Sequence, residues 1–108
     1  MSTLRQLFTD HIEWAKETFP DATSQGVLIH LKSEIKEVEV DIRMNAPKMQ
    51  KAEEFADCLG CLLNAMALEG IGIDDLEAIF HFKLDKNKAR KWQDNGDGSY
   101  SHIKTNAV

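Results

Sequence analysis

The stretch Ser33-Glu34-Ile35-Lys36-Glu37-Val38-Glu39-Val40-Asp41 places four carboxylates in a segment whose apolar spacing predicts a helix. At about 100° per residue the acids fall into two populations. Glu39 shares a stripe with Lys32, Lys36 and Arg43, a charge-balanced pattern expected of a solvated face. Glu34, Glu37 and Asp41 share a different stripe with His30 and have no basic axial neighbour of fixed charge. Like charges at these spacings each cost a helix about a few tenths of a kcal/mol. Such a stripe calls for a cation.

A second acidic pair, Glu54 and Asp57, sits three residues apart near the start of the next apolar segment, on a face that continues through Cys61 and Leu68. The short Asn45-Ala46-Pro47 connection predicts an antiparallel helix pair, which brings Glu34 and Glu37 toward Glu54 and Asp57. Converging carboxylates stay ionised only around a cation, because burial and mutual repulsion both raise their pKa values. An all-oxygen donor set suits hard Mg²⁺ or Mn²⁺ better than zinc. A di-iron site calls for Glu-x-x-His pairs, and the residues three beyond Glu34 and Glu54 are Glu37 and Asp57.

The complementary charge lies further along. Leu76, Phe80, Lys83, Asn87 and Arg90 step at helical spacing, so that a stripe which begins apolar becomes cationic. Lys83 and Arg90 flanking the Asn87 amide form a donor set for a polyphosphate. The bland alternative is a basic helix end that satisfies the macrodipole.

These residues need elements to position them, and four helices are predicted, over about 3–19, 24–44, 47–69 and 74–92. Thr3 with Gln6 reads as a capping box, Pro47 breaks the second helix from the third, and Asp74 with Glu77 reads as the cap of the fourth. The first helix offers Leu4, Leu7, Phe8, Trp14 and Ala15 as its apolar set. The second offers a seam of Leu28, Leu31, Ile35, Val38 and Ile42. The third is apolar around most of its circumference and belongs between others. A tail, 93–108, follows as a short hairpin or loose segment. The expectation is an all-α, single-domain four-helix bundle over 1–108.

With 108 residues, 43% hydrophobic and 29% charged, one modest core is expected. A chain this small gains by hiding an apolar seam between subunits, so a homodimer or homotetramer is expected to complete the core. The net charge of −5 argues against nucleic acid or an anionic membrane as partner, while leaving room for a small anion held through metal ions. No apolar run is long enough to span a bilayer, and the first residues lack the apolar core of a signal peptide, which predicts a cytoplasmic protein.

Taken in order, Glu34-x-x-Glu37, Glu54-x-x-Asp57 and Lys83-x-x-x-Asn87-x-x-Arg90 resemble the motifs of the MazG-like all-α nucleoside triphosphate pyrophosphohydrolases, across about residues 25–92. The surrounding LIHLKSEIKEVE, EEFADCL and KLDKNKARKW are most similar to the small branch of phages and bacteria acting on purine deoxynucleotides. Ser33 departs from the longer family form, which has Glu there. The resemblance implies Mg²⁺, or Mn²⁺, held by Glu34, Glu37, Glu54 and Asp57. It also implies cleavage of a (d)NTP such as dGTP or dATP to the monophosphate and pyrophosphate. Lys83, Asn87 and Arg90 would then bind phosphates, and Glu37, or else Glu34, would accept the proton of the attacking water. Trp14 and Phe8 are candidates to stack on the base, and His30 to contact its edge.

Two rivals remain on sequence grounds: a non-catalytic acidic interaction protein, and the same enzyme class acting on dUTP or dCTP. Other signals carry less. Cys58 and Cys61 lie mid-helix without zinc-site companions and read as packing, and Asn95-Gly96-Asp97-Gly98 reads as a turn rather than a calcium loop.

Overall fold

The computed structural model describes residues 2–104 and contains four helices followed by a β-hairpin: α1 (Leu4–Thr18), α2 (Ser24–Arg43), α3 (Lys48–Leu68), α4 (Ile73–Ala89), β1 (Trp92–Asp94) and β2 (Tyr100–His102). The all-α class and the helix count agree with the sequence reading. The chain divides into two compact units, residues 1–73 and 74–108.

In the first unit α3 packs on both α2 and α1, the α2–α3 contact being the larger, so the most apolar helix is the shared one. Local chemistry fixes each helix end. Thr3 Oγ1 accepts the Gln6 N–H and Thr23 Oγ1 the Gly26 N–H, both at 3.1 Å, so each N-cap satisfies an otherwise orphaned donor. α2 closes in a Schellman motif, with Ala46 N–H donating to Asp41 O and Asn45 N–H to Ile42 O. Asn45 takes the left-handed conformation this requires (φ 50°), which its short polar side chain tolerates. α3 closes the same way at Gly70 (φ 79°). The α2–α3 connection is therefore rigid, and it sets the register that faces one acidic pair with the other. At the opposite end of this pair, Ser24 Oγ donates to Glu69 Oε2 at 2.6 Å.

The core is thin. Among the described residues only Ile12, Ala15, Leu31, Val38, Leu63 and Ala65 are buried hydrophobics. Two expectations need correction. Of the predicted α2 seam, Leu31 and Val38 are buried, but Leu28, Ile35 and Ile42 stand exposed, so only two of its five positions reach the core. The buried positions of α1 are Ile12 and Ala15, while Leu4, Leu7 and Trp14 face outward.

α4 starts at Ile73, the last residue of the first unit and one before the predicted Asp74, and stops in the second unit at Ala89 rather than Trp92. The early stop has a local cause. The Trp92 indole N–H donates to the Asn87 carbonyl at 2.9 Å, and the backbone then turns into an antiparallel ladder pairing Trp92 with His102 and Asp94 with Tyr100. Gly96 and Gly98 supply the positive φ of the turn, and Asp97 Oδ1 accepts both the N–H and the hydroxyl of Ser99. The end of the predicted tail, 105–108, lies outside the described residues. Among the described residues no single helix is long and apolar enough to cross a membrane.

Candidate metal centre

The two acidic pairs meet across the α2–α3 packing. One carboxylate oxygen from each of Glu34, Glu54 and Asp57 lies within 4.8 Å of the others. Ligands of a single Mg²⁺ are at most about 4.2 Å apart, twice the metal–oxygen distance. A small contraction of the three side chains would close them on an ion. The Glu34 side chain is only 13% exposed and Glu54 is half-buried, whereas Asp57 and Glu37 are exposed. Glu37 is not one of the three, but it lies near enough to both Glu34 and Glu54 to raise their pKa values.

The electrostatics mark the cluster as incomplete. Burial, then the neighbouring Glu37, raises the Glu34 pKa, with His30 opposing. Burial and Glu37 likewise push Glu54 up to about 6, with Asp41 and Asp57 adding to the shift. Glu34 Oε2, Glu54 Oε2 and Asp41 Oδ2 are shielded from water and accept no hydrogen bond. Buried carboxylate oxygens are normally paired, and two orphans on Glu34 and Glu54, whose carboxylates converge with Asp57, fit a hard divalent cation. The other oxygen of Glu34 pairs with His30 Nε2 at 2.9 Å, and Asp41 Oδ1 accepts from Gln50 Nε2 at 3.3 Å. By contrast Lys32, Lys36, Glu39 and Arg43 are all exposed, as the balanced stripe predicts.

The cluster opens into a cleft. A cavity of about 480 Å³ touches Glu34 and Asp57 together with His11, Phe19, His30 and Asn64. It shares Phe19, His30, Cys61 and Asn64 with a second cavity of about 600 Å³ along the α1–α2 turn. His11 enters this wall through a close helix contact, its Nε2 donating to the Gly60 carbonyl at 3.3 Å. A Cβ on residue 60 would lie 3.0 Å from that ring, so glycine permits the approach. Trp14 does not line the cleft. It packs against two residues that do, Phe19 at 5.4 Å edge-on and His11 at 5.8 Å. Cys58 and Cys61 are free thiols whose pKa values are raised by burial and then by Glu34, as packing residues would be.

In the second unit, Arg90 Nη1 donates to Asn87 Oδ1 at 3.0 Å, joining two of the three predicted phosphate ligands. Lys83 is exposed on α4. Arg90, then burial, then Lys104, Lys83 and Lys86 depress the pKa of His102, which reports a concentrated positive field there. His102 is held edge-on against Trp92 at 6.1 Å.

A sequence-family model for dATP/dGTP pyrophosphohydrolases matches residues 7–108. The chain belongs to that family. Among curated proteins, this family member is 33% identical over 90 residues to a dATP/dGTP diphosphohydrolase of Salmonella phage PMBT28. The match covers 83% of this chain but 28% of the relative, so the chain spans less than a third of that protein's length. Among solved structures it is similar to the cyanophage S-2L MazG-like pyrophosphohydrolase, described with dGDP and three catalytic Mn²⁺ ions per active site. That likeness has a TM-score of 0.73 at 27% identity and covers 96% of this chain and all of the other. The all-α, MazG-like fold follows.

Several residues around this family member's cleft carried no sequence signal. Phe19, His11, Gly60 and Asn64 meet through the register between α1 and α3, which periodicity within one helix does not contain. The positions of Asp57, Cys61 and Asn64, spaced four and three apart, were the one available clue.

Proposed function

We propose that the protein is a nucleotide pyrophosphohydrolase that cleaves dGTP or dATP between the α- and β-phosphates, giving the deoxynucleoside monophosphate and pyrophosphate. The observation carrying this reading is the α2–α3 cluster of Glu34, Glu54 and Asp57, two of which, Glu34 and Glu54, carry an orphaned, buried oxygen. The family match and the dGDP- and Mn²⁺-bound relative support the substrate class and the metal.

Glu34, Glu54 and Asp57 hold Mg²⁺ or Mn²⁺, and Glu37 sits beside them. When bound, the metal neutralises phosphate oxygens, lowers the pKa of an attacking water and stabilises the leaving pyrophosphate. Glu37 accepts the water's proton. It is exposed where Glu34 and Glu54 are half-buried, and it stands outside the trio of converging oxygens. Glu34 is fixed by His30. Lys83, Asn87 and Arg90 bind the β- and γ-phosphates, with the Arg90–Asn87 hydrogen bond holding the guanidinium ready. The base enters the cleft, with His30 at its mouth and Trp14 backing the aromatic wall. Residues 1–108 act as one catalytic domain.

Self-association, as a homodimer or homotetramer, belongs to the same proposal. Phe55, Leu59 and Leu62 form an exposed apolar stripe on α3, and Leu28, Ile35 and Ile42 another on α2. Light scattering after gel filtration should therefore give a multiple of the chain mass. Cytoplasmic residence suits the substrate.

The enzyme reading is tested by incubating the protein with each of the eight common NTPs and dNTPs plus Mg²⁺ or Mn²⁺. Pyrophosphate release is expected from dGTP or dATP and should be lost in Asp57→Asn with the circular dichroism unchanged. A folded protein that releases none from any nucleotide would overturn it.

A further inference from the structure

The cleft contains one polar group whose purpose the metal site does not supply. Asn64 Oδ1, on α3, is shielded from solvent and has no hydrogen-bond partner. It lies seven residues beyond Asp57 on the same stripe, about 10 Å along the helix axis. That separation is comparable to the length of a nucleoside 5′-phosphate. Both cavities that meet behind the carboxylates include Asn64, and both include the Phe19 ring, which Trp14 supports edge-on. A flat apolar face and an unsatisfied amide on one cleft wall are the parts needed to stack a base and read its edge.

We propose that Asn64 is the base-reading residue, hydrogen-bonding positions 1 and 6 of the purine; this rests on the nucleotide reading above. Guanine presents an acceptor at O6 and a donor at N1–H there, and adenine a donor at N6–H and an acceptor at N1. The patterns are opposites. A carboxamide matches either one by turning over about its last torsion, which exchanges its oxygen and nitrogen. The turn breaks no hydrogen bond at Oδ1, which has no partner. One residue thereby accounts for a site that takes both purines. A pyrimidine, with one ring, would not reach from the stacking position to the amide.

The competing account is a structural amide bound to water in the small cavity of about 40 Å³ beneath it, lined by Ile12, Ala15 and Val27. Substrate ratios separate the two, because they cancel any general loss of activity. kcat/KM is measured for dATP, dGTP and purine 2′-deoxyriboside triphosphate, which lacks the 6-substituent, with the wild-type chain and with Asn64→Leu and Asn64→Ala. On the wild type, loss of the 6-substituent should lower kcat/KM by about tenfold, the effect of one lost hydrogen bond. In either variant the three substrates should become nearly equivalent. The analogue comparison uses the unmodified protein and does not depend on a variant folding.

A wild type indifferent to the 6-substituent, or a variant that keeps the wild-type ratios, overturns the assignment of Asn64 alone. A wild type that hydrolyses neither dATP nor dGTP overturns the proposed function, and this assignment with it.

Discussion

The acidic end of the α2–α3 pair and the basic end of α4 with its hairpin solve opposite electrostatic problems by different means. The acids are held by packing. Two Schellman-closed helices in fixed register push Glu34 and Glu54 out of water and against Glu37, and the cost appears as raised pKa values and orphaned oxygens. The cations are held by hydrogen bonds instead. Asn87 carries Arg90 on its side chain and Trp92 on its carbonyl, while Lys83 stays in solvent. The first region is destabilised until a cation arrives; the second is satisfied as it stands and offers its charge outward. Altering the acids should therefore change both chemistry and stability, and altering the bases chemistry alone.

The largest effect is expected from Glu54→Gln. Loss of a metal ligand should reduce kcat by about 100-fold or more. The melting temperature without metal at pH 8 should rise, because the variant removes a charge that the fold disfavours. A fall in melting temperature would mean that the carboxylate stabilises the fold and the asymmetry between the regions is wrong.

Arg90→Ala should cost about 10- to 100-fold in kcat/KM, the range for a lost hydrogen bond to a charged group. It should leave the Mg²⁺-induced rise in melting temperature intact. Arg90→Lys should recover only part of the activity, since a point charge does not replace the planar fork. If Arg90→Ala abolished the metal-induced shift, the two regions would not be separable.

The pH dependence sharpens the same contrast. Glu54 has a folded pKa of about 6 against an ordinary 4.5, so the folded state holds this proton more tightly than the unfolded chain. Its stabilising contribution is fully present below 4.5 and is lost as pH rises through about 6. Melting without metal should accordingly show a loss across that window that is smaller in Glu54→Gln, where, of the carboxylates, only Glu34 still titrates with a raised pKa. The gain in melting temperature from Mg²⁺ should be largest at pH 8 and fade as pH falls through about 6, because ligation requires the ionised carboxylates. At a hundredfold excess over Kd, the underlying stabilisation amounts to about 2.7 kcal/mol.

Gly60→Ala is the smallest. The helix gains about 1 kcal/mol in propensity, and the strained His11 contact loses a hydrogen bond worth about the same. The melting temperature should hardly move, while KM rises by a few fold, roughly the cost of a displaced cleft wall.

The same two regions show how far the sequence could be read. The acidic stripe was legible because its logic lies within single helices: Glu39 has basic neighbours at helical spacing, and Glu34, Glu37 and Asp41 have none. The Pro47 break then allowed the two pairs to be placed on facing helices. The end of α4 was not legible, because Lys-Asn-Lys-Ala-Arg-Lys-Trp continues an acceptable helical pattern. It is the Trp92 indole and the ladder to His102 that claim the backbone there. Ile12 escaped for a related reason, since which of several apolar positions α3 covers depends on helix crossing rather than on period. Asn64 looked like any polar residue in an apolar helix. Only the absence of a partner, visible once α1 and α3 are packed, distinguishes it.

The central claim is that Glu34, Glu54 and Asp57 form a divalent-metal site, and the paramagnetic resonance of free Mn²⁺ tests it without any substrate. Titrating Mn²⁺ into the wild-type protein at pH 8 should suppress the free-ion signal until the sites fill. Glu54→Gln and Asp57→Asn should leave most of it standing. A wild-type titration that follows the buffer blank, from a folded protein, would contradict the account.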